Sequence, residues 1–227
     1  MDRTLGERHA TSPDTTDERL DQRPNAAALT PSRSVDVRGQ RGFDELLADR
    51  KGLLEAPRYP GQVEAIVAAM VRAFTGGHKV LWFGNGGSAA DAQHLAAEFS
   101  GRFLRDRRGL HSESLSVNTS ALTAISNDFG YEHVFERQME SFAQPGDVVV
   151  GITTSGSSRN IVLALEEARR RGAVTVAFTG NGGGRVAEIA DLALIGPEGY
   201  SAIVQEVHIT LGHIICDLVE QALIFKS

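Results

Sequence analysis

The chain is short of cysteine, of lysine and of long apolar runs, and each shortage removes a class of function. Cys216 is the single cysteine among 227 residues. No intrachain disulfide can form, and a cysteine-based zinc site is excluded. It sits in the apolar run Ile214-Ile215-Cys216, a setting for core packing and not for a nucleophile. Lysine occurs only at positions 51, 79 and 226, and 29 acidic residues against 23 basic ones give a net charge of −6. A sequence-independent nucleic-acid binder needs a basic face, so no nucleic-acid partner is expected. A bilayer span takes ~20 uninterrupted apolar residues. The best stretch, 201–225, is broken by Gln205, Glu206, His208, His213, Asp217 and Glu220. The N-terminus lacks the basic-then-apolar pattern of a secretory signal. The expected setting is the cytoplasm, with no membrane partner.

Residues 1–40 differ in composition from the rest. They hold Pro13, Pro24 and Pro31, mixed charges and no apolar periodicity. Such a stretch buries too little surface to offset its ordering entropy, which predicts a disordered tail ahead of one domain over 41–227. In that domain Phe43, Leu46 and Leu47, then Val63, Ile66, Val67, Met70, Val71 and Phe74, recur at helical spacing, and Pro57 to Pro60 separate two helices. Apolar runs at 79–83, 114–117, 147–152, 174–178 and 192–195 read as strands. Amphipathic helices are predicted near 88–103, 131–143 and 158–171, with a long final helix over 201–224. Strands alternating with helices imply an α/β fold: a doubly wound, five-stranded parallel sheet in a flavodoxin-like three-layer arrangement. Ligands of such sheets bind at the carboxyl ends of the strands.

The segments after the strands carry the polar chemistry. After the first comes Gly84-Asn85-Gly86-Gly87-Ser88-Ala89, opening a helix. Its glycines let backbone approach a ligand, and the helix N-terminus favours an anion or a polar oxygen. The segment also matches a degenerate dinucleotide fingerprint, but the next strand ends at Val117-Asn118-Thr119, without the acidic residue that holds a ribose. After the third strand, Thr153, Thr154, Ser155, Ser157 and Ser158 put five hydroxyls within six residues at another helix start. A helix cap needs one hydroxyl, so five favour a phosphate cradle. No Walker lysine follows, which excludes a nucleotide-hydrolysing loop and leaves a phosphorylated small molecule.

The first of these helices contains Asp91-Ala92-Gln93-His94, with Glu98 four residues beyond His94 on the same face. Imidazole and carboxylate at that spacing suit a divalent transition metal as well as a structural pair. On the last helix, Gln205 and His213 lie ~80° apart and two turns along, so both can reach one site, whereas His208 falls ~140° from His213.

These residues make the chain resemble the sugar isomerase (SIS) domain family, and within it the phosphoheptose isomerases, over roughly 42–227. The motifs are Gly-Asn-Gly-Gly-Ser at 84–88, Asp-Ala-Gln-His at 91–94 with Glu98, and Ser-Asn-Asp-Phe-Gly at 126–130. Thr-Ser-Gly-x-Ser at 154–158 and Gln-Glu-Val-His at 205–208 with His213 complete them. The resemblance implies a homotetramer with sites between subunits, and one zinc ion per subunit bound by His94, Glu98, Gln205 and His213. It implies sugar-phosphate contacts from Asn85, Gly86, Gly87, Ser88, Glu98, Asn127, Asp128, Thr153, Thr154, Ser155, Ser158 and Gln205. Pro197 to Ser201 is a further ligand-holding segment in such proteins. Where the family usually has Ser-Thr-Ser, this chain has Thr153-Thr154-Ser155, which keeps the hydroxyls.

The implied reaction converts sedoheptulose 7-phosphate to D-glycero-D-manno-heptose 7-phosphate through an enediol. Such chemistry needs an acid, a base and stabilisation of an oxyanion. Glu98 and His213 are the expected pair, with Asp128 orienting a hydroxyl or relaying a proton. Some relatives instead bind a replication-initiator protein without catalysis. Those lack the residues matching Glu98 and His213, both present here. The fold would also suit an isomerase of a different sugar phosphate, or a phosphosugar sensor, for which 1–40 is too short a companion module.

Overall fold

The computed structural model describes residues 42–224. The expected disordered tail, 1–40, lies outside the described residues. The described elements belong to the compact unit that begins at Phe43. Five parallel strands, β1 (Val80–Gly84), β2 (Ser112–Ser114), β3 (Val148–Thr153), β4 (Val174–Thr179) and β5 (Leu192–Ile195), form one sheet in the order β2-β1-β3-β4-β5. The run Val148-Val149-Val150 is buried on both faces, the signature of a sheet covered on both sides.

Side chains alternate along each strand, so the sheet feeds two cores. Trp82, Val148, Val150 and Phe178 pack with α2 (Tyr59–Thr75), α3 (Gly87–Ser100) and α8 (Ser201–Ile224). Leu81, Phe83 and Val149 pack with α5 (Glu136–Phe142), α6 (Arg159–Arg170) and α7 (Gly184–Ile189). The remaining helices are α1 (Phe43–Ala48) and α4 (Thr119–Phe129). By length and composition α8 could cross a membrane. Half of its apolar window is buried in the fold, and the helix also carries buried His208 and Glu220.

Four features differ from the sequence expectation. Pro60 lies inside the first turn of α2, where its missing N–H removes no helical bond. β2 precedes the predicted 114–117, because Ser112 and Ser114 pair with Val80 and Trp82 and only Leu115 N–H continues the ladder, to Trp82 O at 2.8 Å. The predicted helix 131–143 divides into a 3-10 turn at Tyr131–His133 and α5, with Val134 and Phe135 buried between them. α4 and α7 are additions to the predicted elements. α4 is N-capped by Asn118, whose side chain accepts from Ala121 N–H, and packs only the half-buried Leu122 and Ile125 on the core; α7 is six residues opening on glycine.

β1 and β3 are neighbours although β2 comes between them in sequence. The chain therefore leaves β1 in one direction along the sheet and returns in the other. That switch point opens a crevice at the carboxyl ends of β1 and β3, where both polar segments emerge.

Candidate active site

Asn85 and Asn160 join the two walls of the crevice. Asn85 Nδ2 donates to Asn160 Oδ1 and Asn160 Nδ2 donates back to Asn85 Oδ1, each at 2.9 Å. Tyr131 Oη also donates to Asn85 Oδ1, at 2.9 Å, which brings the turn after α4 to the same rim. On the β3 side the hydroxyls form a chain. Thr153 Oγ1 is 2.9 Å from Ser158 Oγ and 3.3 Å from Ser155 Oγ, and Ser155 Oγ accepts from Ser157 N–H. Thr154 Oγ1 meets Ser201 Oγ at 3.0 Å, so the start of α8 closes over this loop. Ser155 and Ser157 are exposed, and a ligand can reach their hydroxyls.

The ionisable cluster lies between α3 and α8. His94 Nε2 is 2.8 Å from His213 Nε2 and 3.3 Å from Glu98 Oε1. Donor atoms of His94, Glu98 and His213 all fall within 4.8 Å of one another. Glycines permit the two helices to come this close. A Cβ on Gly212 would stand 2.8 Å from Leu95 Cδ1, and one on Gly87 would stand 2.8 Å from Gln205 Cδ. Gln205 is thereby seated against the first turn of α3. Three converging N and O donors, with a carboxamide on the same helix as one of them, can hold a divalent transition ion with bonds of ~2 Å.

His208 stands apart, as its angle on the helix predicts. It is fully buried, and its Nε2–H donates to Thr179 O at 2.9 Å. Burial lowers its pKa from 6.5 to about 4, against the raising effect of that hydrogen bond. Asn127 and Asp128 are exposed at the end of α4, where Asn127 Nδ2 donates to Asp128 Oδ1 at 2.8 Å. No hydrogen bond or ion pair among the described residues joins either to the histidine cluster.

Three further polar groups belong to the site, of which only Asp91 lies in a motif legible from the sequence. Asn160 and Tyr131 are tied to Asn85, as above. Asp91, one turn before His94, has Oδ2 buried without a hydrogen-bond partner. Burial raises its carboxyl to about 6 while His94 pulls it down. A cavity of about 460 Å³ under the β2 edge, lined by Leu81, His111, Glu113, Gln138 and Phe142, contains none of the candidate site residues.

A family model described as "SIS domain" matches residues 56–180. The phosphoheptose isomerase of Aquifex aeolicus is 50% identical over 169 residues, covering 74% of this chain and 88% of the relative. Two solved structures share the fold. The phosphoheptose isomerase of Neisseria gonorrhoeae matches with a TM-score of 0.71 at 37% identity, covering 78% of this chain and 99% of that one. That of Francisella tularensis matches with a TM-score of 0.75 at 29% identity, covering 80% and 100%.

Proposed function

Because the chain belongs to the SIS-domain family, and within it to the phosphoheptose isomerases, we propose that its β1/β3 crevice holds sedoheptulose 7-phosphate and that α3 and α8 supply the proton-transferring groups. The enzyme is an aldose–ketose isomerase whose product is D-glycero-D-manno-heptose 7-phosphate. The observation that carries the site assignment is the convergence of His94, Glu98 and His213 within 4.8 Å between α8 and α3, the helix that leaves the crevice.

The phosphate is assigned to Thr153, Thr154, Ser155 and Ser158, whose hydroxyls and neighbouring N–H groups lie at the start of α6. Asn85, Gly86, Gly87, Ser88, Asn127, Asp128 and Gln205 are assigned to the sugar. Asp128, already accepting from Asn127, orients a hydroxyl or relays a proton. Isomerisation moves one proton between C1 and C2 and another between their oxygens. Glu98 removes the C1 proton of the ketose, the electron pair forms the C1–C2 double bond, and His213 protonates the C2 oxygen, giving the enediol. Return of a proton to C2 and loss of the O1 proton complete the aldose, with the same two groups exchanging roles.

His94, Glu98, Gln205 and His213 would hold one zinc ion per subunit, and the clustered N and O donors fit that ion. Zinc bound there supplies Lewis-acid polarisation of the sugar carbonyl. The working form is assigned as a cytoplasmic homotetramer with sites between subunits. Supporting this, α1 buries no residue and turns Phe43, Leu46 and Leu47 outward. Leu54, Ile214 and Leu218 line an open groove of about 300 Å³ between α2 and α8. Contiguous exposed apolar surface of this kind is what association covers. The His94 side chain is 49% exposed in the single chain, so the histidine cluster is open to solvent or to a neighbouring subunit.

The test is direct. Zinc-loaded protein is given sedoheptulose 7-phosphate and aldose signals are followed by NMR. Conversion is expected, and Glu98→Gln should reduce it by at least about 10³-fold without changing the oligomer. A variant that still turns over removes Glu98 from the acid–base pair. A metal-bound wild type that converts nothing points to another sugar phosphate or to protein binding.

A further inference from the structure

Two charged side chains are buried behind the site and take no part in the chemistry above. Glu220, on α8, is fully buried. Its carboxylate accepts three consecutive backbone N–H groups, from Phe103 at 3.1 Å, Leu104 at 2.9 Å and Arg105 at 2.8 Å. It also accepts from Arg107 Nε at 2.9 Å. Burial alone would raise its pKa; the three N–H donors and the Arg107 charge outweigh it and hold the carboxyl below the usual range.

Arg107 in turn is built into the end of α3. Its Nη2 donates to Glu98 O at 2.8 Å, and its Nη1 to Phe99 O at 2.8 Å and Gly101 O at 3.1 Å. These include carbonyls that a helix C-terminus leaves without partners. One guanidinium thus caps the helix that carries His94 and Glu98 and pairs with the helix that carries His213. Seven residues, two turns, separate His213 from Glu220, which sets both on one face of α8. The turn that Glu220 gathers also delivers Phe103, whose ring stacks on the His213 imidazole with centroids 5.5 Å apart and planes 20° apart.

A buried ion pair adds little net stability over apolar packing, because desolvation consumes the Coulomb gain. Its directional bonds can nevertheless fix one arrangement of two elements. We propose that Glu220 is a positioning residue for the proton-transfer pair: with Arg107 it locks the end of α3 to α8, and through the 103–105 turn it holds Phe103 against His213. This rests on the assignment of Glu98 and His213 above. It predicts that the orientation of the His213 ring depends on a carboxylate two helical turns away.

The experiment uses full-length protein carrying ¹³C-labelled histidine, with the His213 ring signals assigned through His213→Gln. Phe103→Leu removes the stacked ring, Phe103→Tyr keeps it, and Glu220→Gln keeps shape but places an amide N–H against donors. In metal-free protein well below its melting temperature, Phe103→Leu should abolish the ring-current shift of His213, and Glu220→Gln should move the signal the same way. Phe103→Tyr should leave it in place. In zinc-loaded protein, Glu220→Gln and Phe103→Leu should each lower kcat about ten-fold with KM within about two-fold, as misplacing a reacting group does. If Glu220→Gln does not fold, Glu220→Asp, which keeps the charge but withdraws it from the 103–105 turn, is read by the same ring signal and kcat–KM split. His213 signals unmoved in Glu220→Gln, with only the melting temperature lowered, would overturn the proposal. The ring signal needs neither substrate nor metal, so a wild type inactive on sedoheptulose 7-phosphate whose His213 signal still moves in Glu220→Gln sinks the functional assignment and leaves the coupling of Glu220 to the His213 ring.

Discussion

Ser155 and His208 show what decides the use of a polar side chain. The Ser155 hydroxyl is exposed and takes part only in contacts of 3.3 Å with its neighbours, so it can turn to a phosphate at little cost. On the proposed assignment this loop holds the phosphate equally in ground and transition states. Ser155→Ala should therefore raise KM about five-fold, the worth of roughly 1 kcal/mol of hydrogen bonding, and leave kcat within about two-fold. Steady-state kinetics on sedoheptulose 7-phosphate check this; a selective fall in kcat would place the loop at the reacting carbons. His208 is the opposite case. Folding keeps it neutral down to about 4 from an ordinary 6.5. Between those values the unfolded chain binds the proton and the folded one does not, so stability falls as pH drops from 6.5 and levels near 4. The full loss is about 3 kcal/mol, on the order of 10 °C in melting temperature. His208→Gln keeps a donor for Thr179 O and removes the titration. Its melting curve should fall less steeply than wild type between pH 6.5 and 4, and parallel curves would refute a neutral His208.

Among elements, the loops after β3 and β4 work as one through Asn181. It is the one described non-glycine residue with positive φ, +50°. Its Nδ2 donates to Thr154 O at 3.1 Å and its Oδ1 accepts from Gly199 N–H at 2.9 Å, tying the hydroxyl loop to the segment before α8. Asn181→Gly keeps the backbone conformation and loses both bonds. It should fold normally and raise KM about ten-fold through a loosened phosphate loop, whereas Asn181→Ala adds about 1 kcal/mol of backbone strain, visible as a further drop in melting temperature. Equal melting temperatures for the two would mean the strain is absent. What could be read from the sequence follows the same line between local and distant. Four of the five strands, the two polar segments and the His94–Glu98 spacing are patterns within a few residues of chain, whereas β2 is Ser-Glu-Ser and only the apolar residues beyond it mark its neighbourhood. The Asn85–Asn160 pair spans 75 residues, Tyr131–Asn85 spans 46 and Arg107–Glu220 spans 113. None of those pairs leaves a local periodicity to detect. α4 shows a weaker local signal: its short stripe, Leu122 and Ile125, is only half-buried, and polar residues fill the rest of the helix behind the Asn118 cap.

For the whole molecule, the question is what covers the outer face of α2 and α8. Leu218 belongs to two adjoining grooves, of about 370 and 300 Å³, with Val67, Val71 and Ala222 on one side and Leu54, Val63 and Ile214 on the other. The strip lies about 140° around α8 from His213, on the side that meets α2, so a second copy seated there covers apolar surface and leaves the histidine cluster to a different contact. Leu218 itself is 36% exposed in the single chain and carries no catalytic assignment. Leu218→Glu costs the isolated fold little, since a glutamate there can extend into water. In an assembled interface it buries an unpaired charge, a penalty of several kcal/mol repeated at every copy. Sedimentation should therefore show Leu218→Glu dissociating at micromolar concentration while wild type remains associated, with the circular dichroism unchanged. If neighbouring subunits complete the sites, kcat/KM falls in proportion to the dissociated fraction and recovers on concentrating the protein. A variant that dissociates and keeps full activity would place the whole site within one chain. One that stays associated would move the interface to another face, with α1 and its outward Phe43 the next to test.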